Sequence, residues 1–369
     1  MRLALCLSLT RRHGWFRMGP RFVRFGTIAL GSNGLMQTRK LGNSDLELSV
    51  IGLGTWAMGG GDWPFGWGDQ DEEDAIAAIH KAVELGVNWI DTAAVYGFGK
   101  SESLVGKALK SIPSARRPIV ATKCGRTNLG DGKIGKSLKR ESVIAECEAS
   151  LTRLGVDCID LYQMHWPEPD EQIEEGWQAL VELKQQGKIR YLGVSNHSAS
   201  QMDRLQAIEP IDSSQPPYSM LAREAEAEIL PYCRDHGIGV VCYSPMGKGL
   251  LTGSFTAERA ARLSEKDHRS RDPRFQSPQL EINLSFVEGL GQIASALGWT
   301  RAELAVAWVL RRPEVTSAIV GSRSPQQIEQ TVVAGTRNMD ADTTARVDAL
   351  IEDREQRLAS LEGISKARV

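Results

Sequence analysis

Eight short apolar runs alternating with helical periods, an unbroken composition between them and about 300 residues in all predict an α/β chain folded as a (β/α)8 TIM barrel. Alternation of strand and helix implies a parallel sheet, and eight units at this length favour a closed barrel over an open doubly wound sheet. An N-terminal β-hairpin lid and extra C-terminal helices complete the expected architecture, read as one domain over residues 36–369.

The first 35 residues stand apart. No acidic residue precedes Asp45, while Arg2, Arg11, Arg12, Arg17, Arg21 and Arg24 crowd the start. The apolar run from Leu3 to Leu9 is followed by Arg11 and Arg12 where a signal peptide needs small residues, and an Arg-rich, acid-free leader is also a transit-peptide trait. Hydrophobic periodicity begins only after Met36, so residues 1–35 are read as a leader outside the fold, disordered or a mis-assigned start.

From Gln37 to Val50 two extended runs flank Gly42-Asn43, a hairpin signal. Ser49 to Trp56 is an apolar strand ending in glycines, followed by a Gly/Trp loop to Gly68. A helical period over 69–85 stops at Gly86. Val87 to Ile90 reads as a short buried strand ending at Asp91, and a helix over 101–109 opens on Ser-Glu-Ser, residue types that cap helices. Strands at 118–123, 159–165, 189–195, 211–215, 239–244 and 316–320 then alternate with helices at 140–154, 172–186, 200–208 and 225–236. Further helices are expected at 280–297 and 301–311, from Pro325 and from Ala341.

Composition narrows the function. A net charge of −2 with 24% charged residues of mixed sign supplies no basic field for nucleic acid. No run of eighteen apolar residues offers a membrane span. Cysteines at 6, 124, 147, 158, 233 and 242 show no C-x-x-C spacing, which fits buried thiols in a reducing, cytoplasmic setting better than disulfides or a zinc site.

Active sites in this fold sit at the C-terminal ends of the strands. Asp91 ends the second strand, Tyr96 follows it, Lys123 ends the third and His165 ends the fourth, so four proton-handling groups converge on one mouth. The competing structural account is a barrel-mouth ion pair with a core histidine. Three successive strand ends delivering Asp, Lys and His beside a Tyr weigh against it.

The text around these residues resembles the aldo-keto reductase family. The matching stretches are Gly52-Leu-Gly-Thr-Trp56, Trp89-Ile-Asp-Thr-Ala93 with Tyr96-Gly97, Ala121-Thr-Lys123 and Asp160-Leu-Tyr-Gln-Met-His-Trp166. They continue with Gly193-Val-Ser-Asn196, Tyr243-Ser-Pro-Met-Gly247, Gly249-Leu-Leu251 and Gly321-Ser-Arg-Ser-Pro325, in order from about residue 37 to 335. The loop Tyr96-Gly-Phe-Gly-Lys-Ser101 and the segment from Arg271 to Gln276 are most similar to the bacterial general-stress-protein branch.

The resemblance implies NADPH-dependent reduction of aldehydes or ketones, NADH not excluded, with Tyr96 as general acid. A free phenol, of pKa about 10, is a poor acid, and a nearby Lys123 ammonium is expected to favour the phenolate. Asp91 would hold Lys123, and His165 would orient the carbonyl. The resemblance also places Ser195, Asn196 and Gln215 on the nicotinamide carboxamide, and Tyr243 against the ring. Thr55, Trp56 and Asp91 join the cofactor contacts. The Gly-containing loop of Ser244, Pro245, Met246, Gly247, Lys248, Gly249 and Leu250 is expected to cradle the pyrophosphate on its backbone N–H groups. Gly321, Ser322 and Arg323 would meet a 2′-phosphate, and Gln327 the adenosine. No metal is implied.

Two positions depart from the family pattern: Thr331 stands where members often carry Asn, and Ser254 where some carry Lys. NADPH over NADH therefore rests mainly on Arg323. Trp56, Trp63, Tyr96, Phe98 and Trp166, with Phe65 and Trp67 nearby, predict an aromatic-lined pocket for a small-molecule carbonyl, shaped by the loops 59–68, 125–139 and 247–279. Rossmann and P-loop patterns fail, because Ala57 and Thr252 follow the two Gly-x-Gly pairs and Ala94 replaces the first P-loop glycine. Two rivals remain: a Schiff-base lyase acting through Lys123, and a cofactor-sensing regulatory subunit.

Overall fold

The computed structural model describes residues 29–30 and 34–366. The expected leader lies outside these residues, except that β1 (Ala29–Leu30) pairs antiparallel with β2 (Gly34–Leu35). The expected hairpin follows as β3 (Thr38–Lys40) and β4 (Glu47–Ser49). Its Leu41, Leu46 and Leu48 are buried with Trp89, Ala121, Leu161, Val241 and Ile319. The hairpin thus plugs the N-terminal end of the barrel with apolar surface, leaving the other end for chemistry.

Strand β5 (Ile51–Gly54) leads to α1 (Glu72–Glu84), capped by the Asp71 carboxylate on the Asp74 N–H. Then come β6 (Trp89–Asp91), α2 (Lys100–Ser111) and β7 (Ile119–Cys124). An unexpected hairpin, β8 (Arg126–Asn128) with β9 (Ile134–Lys136), rises before α3 (Arg140–Leu154). Three-residue strands are too short to show a period, which is why this stretch reads as loop.

The remaining units are β10 (Ile159–Met164) with α4 (Ile173–Gln185), β11 (Ile189–Ser195) with α5 (Ala199–Gln206), and β12 (Ser213–Gln215) with α6 (Ile229–His236). Helix α6 starts later than the expected 225. Pro231 in an unbroken helix would press its ring on the carbonyl of residue 227, so a separate 3-10 turn, Glu224–Glu226, precedes it. Strand β13 (Gly239–Tyr243) opens the long loop, which carries the short α7 (Ala257–Ala261). After it come α8 (Gln279–Ala296), α9 (Arg301–Leu310), β14 (Val315–Gly321), α10 (Pro325–Val332) and α11 (Ala341–Lys366).

The eight strands close in the order β10-β11-β12-β13-β14-β5-β6-β7, all parallel. The expected TIM barrel is the fold. Among the described residues no single helix is long and apolar enough to cross a membrane. Five described cysteines are free thiols, Cys158 half-buried and the rest buried.

Candidate active site

Parallel pairing sets Asp91 beside Ala121, so Lys123, two residues on, emerges above the carboxylate on the same side of its strand. Its ammonium donates to Asp91 Oδ1 at 2.6 Å, Thr92 O at 2.9 Å and Tyr96 Oη at 3.4 Å. The second Asp91 oxygen accepts from Gln215 Nε2 at 2.8 Å. Both groups are buried, and every proton of Lys123 has an acceptor.

Tyr96 is brought back over this pair by a tight turn. Gly97, at φ +60°, is required there because a Cβ would meet Gly59 O at 2.2 Å. The Ser101 hydroxyl does not cap α2 as expected; it donates to Thr55 and lies 2.9 Å from Thr92 Oγ1, tying the loop after β5 to the Tyr96 turn. Glu102, missed in the sequence, accepts from Thr122 Oγ1 at 2.5 Å and Arg153 Nε at 2.6 Å, joining α2, β7 and α3 directly behind Lys123. A buried carboxylate beside a strand-end lysine was the available signal.

Lys123 was expected to lower the Tyr96 phenol. The phenol instead lies well above its usual value, because burial and then the Asp91 charge oppose the phenolate. Asp91 at 2.6 Å offsets the lysine charge, so Tyr96 faces a nearly neutral pair. Burial also lowers Lys123, with Asp91 pulling the other way.

His165 sits one residue beyond β10, its N–H bonded to Cys124 O at 3.0 Å and its ring edge-on to Tyr96 at 5.7 Å. Burial, then the charges of Lys123 and Arg126, hold the imidazole neutral, well below the usual histidine range. A neutral ring with one N–H can donate to a carbonyl without titrating near neutral pH.

Next to the four residues lies a second bonded group. Tyr243 Oη donates to Asn196 Oδ1 at 2.8 Å, and Asn196 Nδ2 donates to His165 O and Ser195 Oγ, each at 3.0 Å. Ser195 Oγ in turn donates to Gln215 O at 2.9 Å. The sequence-derived carboxamide set is therefore brought together, and Gln215 links it to Asp91.

Other expectations need correction. Thr55 is fully buried, its hydroxyl shared between Asp91 O and Ser101, because the turn beneath Tyr96 uses it. In the 244–250 loop, the N–H groups of Gly247 and Gly249 already serve Ser244 O and Met246 O, and Leu250 points into a separate core with Phe255 and Phe275. The all-backbone cradle is thus reduced, since a 3-10 turn uses its own donors. Positive φ at Ser244, Gly247, Lys248 and Gly249 still folds the loop tightly.

Charged side chains surround that loop. Lys248 donates to Asp272 Oδ2 at 2.9 Å, and Arg274 reaches the same oxygen at 2.6 Å. Burial raises the Asp272 carboxyl, but bonds from Arg274 and Lys248 hold it well below the usual range. Arg269 pairs with Asp267 and lies over the Trp67 ring.

Arg323 is not a free anion fork. Its three guanidinium nitrogens bond Gln70 Oε1, Trp67 O and Asp69 O, because the loop between β5 and α1 folds against it. Gln327 Oε1 accepts the Arg323 N–H at 2.8 Å, and Ser322 Oγ bonds Ser324 O. Gly321 has open space around its Cα.

The aromatic residues expected around a pocket fall in two places. Trp56, Trp63, Tyr96 and Phe98 share one cluster with Ile134 of β9. Trp166 stays at the rim, 39% exposed, under the Arg126 guanidinium. A canopy covers the mouth: His268 donates from both its N–H groups to Gly66 O, and Trp67 bridges to Asp267. Tyr96 and His165 are consequently only 8% and 9% exposed.

Buried neutral histidines make stability acid-sensitive. Burial first lowers His197 and His268, each to about 4. Between about 6.5 and 4 the unfolded chain binds these protons and the native state does not, so stability falls as pH falls through that window. Unfolding free energies from urea titrations at pH 7.5 and 5.0 should differ by roughly 2–4 kcal/mol, lower at pH 5.0. Replacing both histidines with glutamine should reduce the difference, leaving the part that the buried His165 contributes.

Comparisons with known proteins agree with this fold. The model of the Aldo/keto reductase family matches residues 50–352. The chain is 41% identical over 295 residues to aldo-keto reductase YhdN of Bacillus subtilis, covering 80% of this chain and 87% of that one. It is 38% identical over 322 residues to the NADH-specific methylglyoxal reductase of Escherichia coli, covering 84% and 97%. Among solved structures, a glycerol dehydrogenase from Gluconobacter oxydans superposes with a TM-score of 0.78 at 36% identity, covering 86% of this chain and 96% of that one. The holo form of an aldo-keto reductase from Bacillus halodurans does so at 0.71 and 29% identity, covering 85% and 96%.

Proposed function

Since the chain belongs to the aldo/keto reductase family and is an NAD(P)H-dependent oxidoreductase, we propose that it reduces small aldehydes or ketones to alcohols in the cytoplasm, with Tyr96 as general acid. One observation carries this reading: a single buried ammonium, Lys123, bridges the Asp91 carboxylate and the Tyr96 phenol at 2.6 and 3.4 Å, with the neutral His165 ring against the same phenol.

The fit of a dinucleotide is supported by the tightly folded 244–249 loop, the surrounding Lys248, Arg269 and Arg274, and a buried donor without a partner, Trp67 Nε1. When bound, the cofactor supplies the hydride. Ser195, Asn196 and Gln215 would hold the carboxamide, with Tyr243 along the ring. His165 donates a hydrogen bond to the substrate oxygen and stabilises the charge that grows there. Tyr96 Oη passes its proton to that oxygen, and Lys123, charged and held by Asp91, stabilises the phenolate left behind. Exclusion of water by the canopy strengthens each of these interactions.

NADPH is the favoured cofactor, with preference resting on Arg323. To meet a 2′-phosphate, its guanidinium must leave Gln70 and the two loop carbonyls. Arg323→Ala should lower kcat/KM for NADPH by at least tenfold and leave NADH within about threefold, since a lost charge-assisted bond to phosphate costs roughly 1.5–3 kcal/mol. Equal losses with both cofactors would assign Arg323 to loop packing instead. The reading as a whole is tested by cofactor oxidation over a panel of aldehydes, ketones and sugars; no turnover with either cofactor would overturn it. Borohydride should trap no adduct on Lys123, whose nitrogen is enclosed by three acceptors.

A further inference from the structure

Gln163 lies on β10, fully buried inside the barrel, and the mechanism does not use it. Leu161, two residues earlier and so on the same side of the strand, belongs to the apolar plug at the N-terminal end. An apolar side chain at 163 would continue that packing, yet an amide stands there. Its Nε2 is sealed from solvent and has no partner among the described residues. Gly193 on the neighbouring strand makes room for it, since a Cβ there would meet Gln163 Cγ at 2.8 Å. A buried donor left unpaired costs stability, and only the other end of the amide can offset that.

That end is the Gln163 oxygen, which accepts from Gln215 Nε2 at 3.4 Å. The same nitrogen donates to Asp91 Oδ2 at 2.8 Å. A carboxylate only accepts, so Asp91 decides which end of the Gln215 amide is nitrogen, and the second proton of that nitrogen goes to Gln163. With both protons bound the Gln215 amide cannot turn over. Its Oε1 takes no hydrogen bond from the described residues and, unlike the Gln163 nitrogen, is not sealed from solvent. The Gln215 backbone is fastened to Ser195 Oγ at 2.9 Å, beside Asn196. An outward acceptor therefore stands next to the residues that would hold the carboxamide, whose NH2 is a donor.

Resting on the carbonyl-reductase reading above, we infer that Gln163 is a positioning residue: it holds the Gln215 amide with its oxygen toward the nicotinamide carboxamide, and so sets the angle of the ring against Tyr96 and His165. Gln163 touches neither substrate nor cofactor, and its effect passes through Gln215. Hydride transfer is sensitive to such angles, because a small misplacement of the reacting atoms slows the step steeply.

Gln163→Met keeps the length of the side chain and removes the acceptor, and Gln163→Leu is a second packing substitute. Tryptophan fluorescence follows the binding of NADP+ and of 2′-phospho-ADP-ribose, which lacks the nicotinamide; NAD+ and ADP-ribose make a second pair. Either variant should weaken the dinucleotide about tenfold and leave its nicotinamide-free counterpart within twofold, which also shows the variant to be folded. In turnover kcat should fall about tenfold, with KM for the carbonyl within threefold. In a Gln215→Met background the same substitutions should cost nothing further, since the two residues act as one unit. Equal losses for dinucleotide and fragment, an additive loss in the Gln215→Met background, or no loss at all would each overturn the assignment and leave the reductase reading intact. A wild type that binds neither dinucleotide and reduces no carbonyl overturns that reading, and the assignment with it.

Discussion

Tyr96→Phe is expected to lower kcat for carbonyl reduction by about 10²–10⁴-fold while the protein stays folded and binds its cofactor as before. The phenol oxygen makes one contact within the protein, the 3.4 Å approach of Lys123, so its loss leaves the ion pair with Asp91 and the turn through Gly97 in place. What disappears is the proton donor assigned to the substrate oxygen. The pH profile adds an independent check. Tyr96 is shifted upward and His165 downward, so neither changes protonation around neutral pH, and reduction should be flat there for wild type. Alcohol oxidation needs the phenolate, whose fraction rises tenfold per pH unit below the phenol's pKa, so that direction should climb steadily with pH. Equal reduction rates for wild type and Tyr96→Phe would remove Tyr96 from the mechanism.

Asp91→Asn should be the most damaging change to stability and activity together. It leaves the Lys123 ammonium buried opposite an amide, and breaking a buried pair costs about 3–5 kcal/mol. Burial already pulls Lys123 toward its neutral form, and without Asp91 nothing comparable opposes that, so the charge supporting the Tyr96 phenolate is lost. Lys123→Met strands the carboxylate instead, with Gln215 its remaining side-chain donor. The double variant Asp91→Asn, Lys123→Met removes both charges and should regain much of the stability lost by either single change while staying inactive. Urea unfolding and kcat on the same preparations decide this. Single variants within about 1 kcal/mol of wild type would show the pair to be well hydrated and its burial unimportant.

The barrel and its four convergent residues were legible in the chain because the signals are local. A strand's end is marked by where apolar residues stop, and Asp91 and Lys123 stand at such ends, with His165 one step past β10. Helix limits were equally clear where glycine terminates them, as at Gly155 and Gly187, and less so where Pro231 delays the start of α6. The β8–β9 hairpin went unseen because its strands are shorter than one period of any pattern.

Side-chain partners were not legible, and these govern the finer chemistry. Ser101 reads as a cap and serves as a hinge pin between Thr55 and Thr92. Arg323 reads as an anion site and is held by Gln70 and two carbonyls more than 250 residues earlier in the chain, with |i−j| of 253, 256 and 254. The canopy joins Gly66 to His268 across a gap of 202 residues. Periodicity and residue order therefore establish which groups reach the barrel mouth, since strand direction alone delivers them there. Whether a given group is charged, occupied or available depends on burial and on hydrogen bonds closed between distant segments, and that is why Tyr96 is a protonated phenol and the Gln163 Nε2 stands unpaired.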